Sequence, residues 1–357
     1  MPGSNPIRKE SLKVSLPTLI GGSNRQKKGK SEGVSLEEIT MEQSLRLRAY
    51  GKINLGLDVT GTREDGYHLV RMIMQSVRIY DRITVTRKKT PGIVLHNSLS
   101  FLPTDRRNLA YRAAELLFQE TGMEETAGVE IRIEKYLPVA AGMAGGSTDA
   151  AAVLYGVNRL FRMGFDEKKL CELGLRLGAD VPFCVMRGTV LAEGIGEELT
   201  KLPDMPDCSI LVVKPDFPVS TKQVYQDLDA VMPEDGDHSG EAERFRASRP
   251  DIDGLIRAIS AGSIGELLPC MGNVLEQVTV PAHPEIAEIA KKMEALGADR
   301  AMMSGSGPTV FGIFRSGEAA ENAYRTFREE SRREKDGARI YLTQPYAPLK
   351  PEREVRK

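Results

Sequence analysis

The sequence predicts an α+β fold in two units, and three observations lead to it. Apolar alternation marks strands early in the chain and helical periodicity gathers later, without regular strand–helix–strand alternation. A smaller group of strands and helices, from about Ile210 to Thr343, reads as an α/β sandwich. Between these, Lys135 to Tyr155 runs from a strand through a glycine-rich loop into a helix. A chain of 357 residues suits two domains. We place them at 45–205 and 206–345, with a disordered extension over 1–44 and a charged tail over 346–357.

The elements follow from local pattern. Residues 1 to about 40 carry a basic cluster, Arg25 to Lys30, among Ser, Gly and Pro, with no apolar periodicity. No apolar run suggests a signal peptide; a plastid transit peptide fits loosely, and Met41 is an alternative start. Leu45, Leu47 and Ala49, then Ile53, Leu55, Leu57 and Val59, read as strand; Gly61 to Gly66 is a polar turn. Short strands are expected at Met72–Val77, Ile83–Val85, Ile93–Leu95 and Val129–Ile133. Helices are expected at Asn108–Glu120, from Ala150 to Phe161, and at Asp166–Leu177 before Gly178. Phe183 to Ala192 reads as a strand. Beyond Ile210–Val213 come a helix at Thr221–Leu228, a polar loop over Met232–Pro250, and helices at Ile252–Ala261 and Pro284–Leu296. Strands at Ala301–Met303 and Val310–Phe314 flank the turn Ser304 to Pro308; a helix at Ala319–Ser331 and a strand at Ile340–Thr343 close the unit.

Composition excludes several classes. A formal net charge of −1 creates no global field for nucleic acid or an anionic membrane. No apolar run approaches membrane-span length. The four cysteines form no C-x-x-C pair, so neither a zinc site nor a redox pair is indicated, and reduced, mostly buried thiols are expected.

The glycine loop carries the chemistry. Gly142, Gly145 and Gly146 have only small neighbours, and Ser147, Thr148 and Asp149 offer N-cap side chains to the helix that follows. Free N–H groups at a helix N-terminus, unobstructed by side chains, make an anion site, most naturally for phosphate. The spacing is neither a Walker A loop nor a G-x-G-x-x-G fingerprint. Asp180, just before Pro182, is by itself best read as a turn-capping residue. Lys52 sits in an otherwise apolar strand, where a lysine is costly unless paired.

The order Pro-x-x-x-Gly-x-x-Gly-Gly-Ser-Thr, from Pro138 to Thr148, resembles the ATP loop of the GHMP kinases. Further segments are similar to one branch of that family: Ala49 to Leu57, with Lys52 and Asn54; Arg63 to His68; Leu177 to Phe183, with Asp180; Asn273 to Glu276; and Met303 to Thr309. The resemblance spans roughly residues 45 to 345. It implies an N-terminal domain like the second domain of ribosomal protein S5 and a ferredoxin-like C-terminal sandwich, with the site in the cleft between them. The branch it resembles phosphorylates, with ATP and Mg²⁺, the 2-hydroxyl of a cytidine diphosphate-linked methylerythritol on the non-mevalonate route to isoprenoid precursors. Its implied partners are small molecules, with neither nucleic acid nor membrane, in a cytoplasmic monomer or homodimer; the plastid is the alternative if the extension is a transit peptide.

By the same resemblance, Lys52 and Asp180 are catalytic, the carboxylate taking the acceptor's proton and the ammonium lying beside it. Pro138, Val139, Ala140, Ala141, Gly142, Met143, Ala144, Gly145, Gly146, Ser147 and Thr148 line the ATP phosphates, and Asn108 and Lys135 lie near the nucleotide. Ser147, or alternatively Thr148, is the expected protein ligand of Mg²⁺ through its hydroxyl, although either hydroxyl can equally be an N-cap. Tyr67 and Tyr225 are expected to stack on cytosine, His68 to bond its edge, and Asn54 and Thr221 to orient the rest of the acceptor. Two other readings are weighed: a GHMP kinase for homoserine or a mevalonate derivative, and a nucleotide-binding regulator without catalysis. Arg63 to His68 argues against the first, and the pair Lys52 and Asp180 against the second. His96, His238 and His283 carry no motif.

Overall fold

Two long antiparallel strands, β1 (Ser44–Thr62) and β2 (His68–Lys88), form the spine of the computed structural model, which describes residues 43–233 and 237–348. The expected disordered extension lies outside the described residues up to 42, and so does the tail from 349. The breaks in alternation that suggested separate short strands are irregularities in the pairing, between Tyr50 and Lys52, Asn54 and Gly56, and Val59 and Gly61. A bulge turns side chains to the other face without ending the strand, so one β2 replaces the two strands expected between Met72 and Val85.

β3 (Gly92–Asn97) and β4 (Gly128–Glu134) extend the sheet beyond β2, while β5 (Thr189–Glu193) and β6 (Glu198–Lys201) build on its other end. α1 (Leu109–Thr121) and α2 (Gly145–Phe161) pack on each other, and α2 lies on β1 and β2. α3 (Glu167–Leu175) and α4 (Val181–Met186) follow. Phe183 to Ala192 is therefore not one strand. Pro182 opens α4, and Arg187 and Gly188, both at positive φ, end it before β5 begins.

A second sheet, ordered β11-β7-β10-β9, is antiparallel throughout. It is formed by β7 (Ser209–Lys214), β9 (Arg300–Met303), β10 (Val310–Phe314) and β11 (Arg339–Thr343). Helices α5 (Thr221–Asp229), α6 (Gly240–Ala247), α7 (Ile252–Ala261), α8 (Ile264–Leu267), α9 (Glu276–Ala282), α10 (Glu285–Ala295) and α11 (Gly317–Glu334) surround it. The stretch 232–250, expected as a loop, contains α6, whose N–H groups Ser239 caps by accepting from Ala242.

Contacts join the described residues, 43–233 and 237–348, into one unit. The strand β8 (Gly272–Asn273) pairs with Gly56 and Leu57 of β1. Ile53, Leu55 and Ile73 share an apolar cluster with Ile210, Val212, Phe311 and Ile313 of the second sheet. Burial of that shared apolar surface, non-directional and proportional to area, holds the sheets together. Bidentate pairing of Arg249 with Asp58, and of Arg71 with Glu193 and Asp253, orients the contact. Tyr346, at the end of the described chain, returns to stack on Tyr50 of β1.

Candidate active site

The glycine loop leaves its helix uncapped. Ala140, Gly142 and Ala144 adopt left-handed backbone, with φ of 50°, 67° and 56°. Left-handed residues at alternate positions turn successive N–H groups to one side, a concavity suited to an anion. Two of the three are alanines, for which this conformation costs energy, and such strain gathers at ligand sites. α2 begins at Gly145, and no side chain caps it. This corrects the N-cap expectation for Ser147, Thr148 and Asp149, all of which lie inside the helix. Thr148 N is the first to bond back within the chain, to Ala144 O, so the N–H groups of Gly145, Gly146 and Ser147 keep their capacity for a ligand. The Thr148 hydroxyl donates to Tyr50 O at 2.8 Å and is buried, whereas Ser147 is half-buried and has no described hydrogen bond.

Lys135 lies beneath this loop. Its side chain is 4% exposed, and its Nζ donates to Asp81, to Asp149 at 2.8 Å, and to Gly145 O at 3.4 Å. Asp81 also accepts from the N–H groups of Tyr136 and Leu137. Burial pushes the Asp149 carboxyl well above the ordinary carboxylate range, against the pull of Lys135, and its Oδ1 has no partner. The two carboxylates outweigh burial at Lys135 and hold its ammonium above its usual range. Lys135, expected near the nucleotide, thus anchors the start of α2 through carboxylates that sequence reading missed. Asp81 did leave a trace: it occupies an inward position of the alternation Ile79, Asp81, Ile83, Val85, where a carboxylate needs a buried partner.

Lys52 is buried, and its Nζ donates to Asn54 Oδ1 at 2.6 Å. It makes no ion pair among the described residues, and the amide of its partner Asn54 also faces Met72 Sδ. Asp180 heads α4, half-buried, and its carboxylate caps nothing. The turn-capping role suggested by its position is therefore absent. Both charges reach the buried Cys184 thiol, where burial and Asp180 push the pKa up and Lys52 draws it down.

Across from the loop stands the turn Ser304 to Pro308. Ser304 Oγ donates to Gly142 O at 3.4 Å, and a Cβ on Gly142 would come 2.4 Å from Ser304 O. Gly305, at φ 61°, lies so close that a Cβ would stand 3.4 Å from both Lys52 Nζ and Asn54 Oδ1. Asn273 Nδ2 fixes the turn by donating to Met303 O and Gly305 O, and Glu276 accepts from Met303 N. These residues fall in the segments 273–276 and 303–309 that the sequence singled out without assigning a role.

His68 and Tyr225 meet, with rings 4.8 Å apart and tilted by 39°, and His68 Nε2 contacts Asp229 Oδ1 at 2.6 Å. Burial, then the nearby Asp180 carboxylate, pushes the Tyr225 phenol up to about 12. Tyr67, at the tip of the β1–β2 turn, is 61% exposed. Thr221 starts α5, with its hydroxyl 2.7 Å from Ser306 Oγ. Asn108 caps α1, accepting from Ala110 N and donating to Pro103 O. The structure thus gathers Lys52, Asn54, the loop and Gly305, and pairs His68 with Tyr225, while Asp180 acts both on Tyr225 and, with Lys52, on Cys184. The amide of Asn108 it gives to capping.

A phosphate-ready loop between a sheet-and-helix unit and an α/β sandwich is the arrangement of the GHMP kinases. The description "GHMP kinases N terminal domain" matches residues 108–188, and "GHMP kinases C terminal" matches 255–332. A mevalonate kinase from L. major shares the fold, with a TM-score of 0.69 at 14% identity over 87% of this chain and 99% of that one. The particular family follows from nearer relatives. The 4-diphosphocytidyl-2-C-methyl-D-erythritol kinase of Lachnospira eligens is 47% identical over 86% of this chain and 100% of its own length. That of Lachnoclostridium phytofermentans is 48% identical over 78% and 91%. A solved 4-(cytidine 5'-diphospho)-2C-methyl-D-erythritol kinase superposes with a TM-score of 0.68 at 32% identity, covering 85% of this chain and 100% of that one. The chain belongs to the 4-diphosphocytidyl-2-C-methyl-D-erythritol kinase family.

Proposed function

We propose that this protein transfers the γ-phosphoryl group of ATP to the 2-hydroxyl of 4-diphosphocytidyl-2-C-methyl-D-erythritol, in the non-mevalonate route to isoprenoid precursors. The observation that carries the reading is the uncapped N-terminus of α2, with its left-handed loop, set against buried Lys52. Phosphoryl transfer asks a protein mainly for positioning and electrostatics. The N–H groups of Gly145, Gly146 and Ser147 hold phosphate oxygens, and the partial positive charge of the α2 N-terminus adds to the hold. Asp180, with no capping duty, accepts the proton of the acceptor hydroxyl as its oxygen bonds to the γ-phosphorus and the bond to the ADP oxygen breaks. Lys52, held by Asn54 and without an ion pair among the described residues, steadies the developing negative charge. Direct contact between Lys52 and Asp180 would close the space this oxygen needs.

Mg²⁺, when bound to the phosphates, neutralises their charge. It keeps waters and takes few protein ligands, and the free Ser147 hydroxyl in the first turn of α2 fits that demand; Thr148 is committed to Tyr50. Residues 45–205 and 206–345 serve as the two domains, meeting at the loop and the turn Ser304 to Pro308. No helix among the described residues is long and apolar enough to cross a membrane.

The test is ATP consumption with a panel of acceptors: the cytidine diphosphate intermediate, homoserine and mevalonate. Turnover with the first alone is expected. Asp180→Asn, which keeps shape and loses charge, should lower turnover by roughly 10²–10⁴-fold with ATP affinity retained. Turnover with mevalonate or homoserine instead would overturn the substrate. Near-normal turnover in folded Asp180→Asn would remove Asp180 from the mechanism.

A further inference from the structure

We propose that the cleft between β1, α2 and α4 is a binding site for a small organic phosphate, independent of the acceptor assigned above and sharing with the glycine-loop motif only Thr148, whose hydroxyl is committed to Tyr50 O. The cavity encloses about 370 Å³, within the size range of small-ligand pockets. Its wall holds Arg46, Arg48 and Arg187 and contains no carboxylate. The whole chain carries 50 acidic residues against 49 basic ones, so three guanidinium groups without a counter-charge are a local excess. None of the three makes an ion pair among the described residues.

The framework sustains this excess at a cost. Arg48 stands directly opposite Arg82 in the β1–β2 register, but Glu134 is already taken by Arg82, at 3.6 Å. Arg187 closes α4 with φ 58° and ψ 178°, a backbone region occupied almost only by glycine. An anion among Arg46, Arg48 and Arg187 supplies the counter-charge this wall lacks, and their forked donors match phosphate oxygens. The guanidinium of Arg48 is already ordered, 4.9 Å over the Tyr80 ring.

The rest of the wall suits the organic part. Tyr50 and Tyr346 stack with centroids 3.7 Å apart and planes 16° from parallel, and Tyr155 lines the α2 side. Ala151 and Ala152 leave depth between them. Three phenol rings over a small-residue floor accept a flat or compact apolar body, with its phosphate toward the arginines. The walls belong to α2, which the glycine loop opens, and to α4, which Asp180 heads, so an occupant touches both elements of the candidate active site from behind.

Inorganic diphosphate is the probe. The intact protein is titrated calorimetrically with the glycine loop saturated by a non-hydrolysable ATP analogue, so that the loop cannot take the probe. Saturable binding at one site is expected. Arg46→Gln with Arg187→Gln should weaken it roughly 10- to 100-fold, the loss of one to two charge-assisted hydrogen bonds, with the KM for ATP unchanged. Ala152→Glu supplies the missing carboxylate without touching an arginine and should give the same loss. Absence of saturable heat, or equal binding by wild type and folded variants, overturns the proposal. So does binding that grows with the length of an RNA oligonucleotide while diphosphate fails to saturate, which would mark a polyanion face.

Discussion

Replacing Lys135 by Met keeps the length and apolar stem of the side chain and deletes its charge. Asp81 is fully buried, the Asp149 side chain is 6% exposed, and Lys135 is the cation between them. Removing one partner of a buried ion pair leaves an uncompensated charge and costs about 3–5 kcal/mol. The lower end applies here, because burial already favours a proton on Asp149 and that proton relieves part of the damage. A loss of about 3 kcal/mol lowers the folding equilibrium constant more than a hundredfold. Urea unfolding should show a lower midpoint with an unchanged slope, since the surface exposed on unfolding stays the same. The variant also loses the contact of Lys135 with Gly145 O, so the KM for ATP should rise more than kcat falls. Combined with Asp149→Asn, the damage should be less than additive, because the two groups share one interaction. A destabilisation below about 1 kcal/mol would refute the buried triad. An unchanged KM for ATP in a destabilised variant would refute its hold on the loop.

Gly142→Ala should raise the KM for ATP strongly, because its Cβ meets Ser304 O at 2.4 Å and its φ is 67°; Gly145→Ala, with a nearest neighbour at 3.4 Å, should be milder, and the reverse order in ATP titrations would refute the loop geometry. The raised pKa of Asp149 means that the folded state keeps a proton the unfolded state has lost, so its contribution is full below the ordinary carboxylate pKa and is lost as pH rises toward the folded value. Stability of wild type minus Asp149→Asn should therefore fall as pH rises above the ordinary carboxylate pKa, by at most about 1.4 kcal/mol per unit, in urea titrations; a rise would refute the assignment. Tyr67→Ala should leave thermal unfolding unchanged, since the ring is 61% exposed, and should weaken the cytidine substrate by about 1–3 kcal/mol with the KM for ATP constant; equal weakening of both ligands would point to packing instead.

Local chemistry determined a good deal of this protein in the sequence alone. Alternation of apolar residues gave away β1, β4, β7 and β10, and helical spacing gave away α1, α7 and α11, because a half-buried strand or helix must repeat with the period of its own backbone. The glycine loop was legible for a similar reason: small residues between a strand and a helix leave N–H groups bare wherever the rest of the chain lies. Where periodicity was short or interrupted, local reading failed. It took a bulge for a strand end in β2, and it took the α4–β5 pair for one strand, because six helical residues are too few to show a period.

Tertiary structure alone decided the partners. Asp81 and Lys135 lie 54 residues apart and Gly142 and Ser304 lie 162 apart, and no local rule connects them. Burial makes an unpaired charge expensive, and only the folded sheet determines which opposite charge arrives to pair with it. The same holds for Lys52. Its strand showed that a lysine was buried and needed a partner; the fold supplied Asn54, and whether a residue of α4 joins it depends on how β1 and α4 pack rather than on the residues of either.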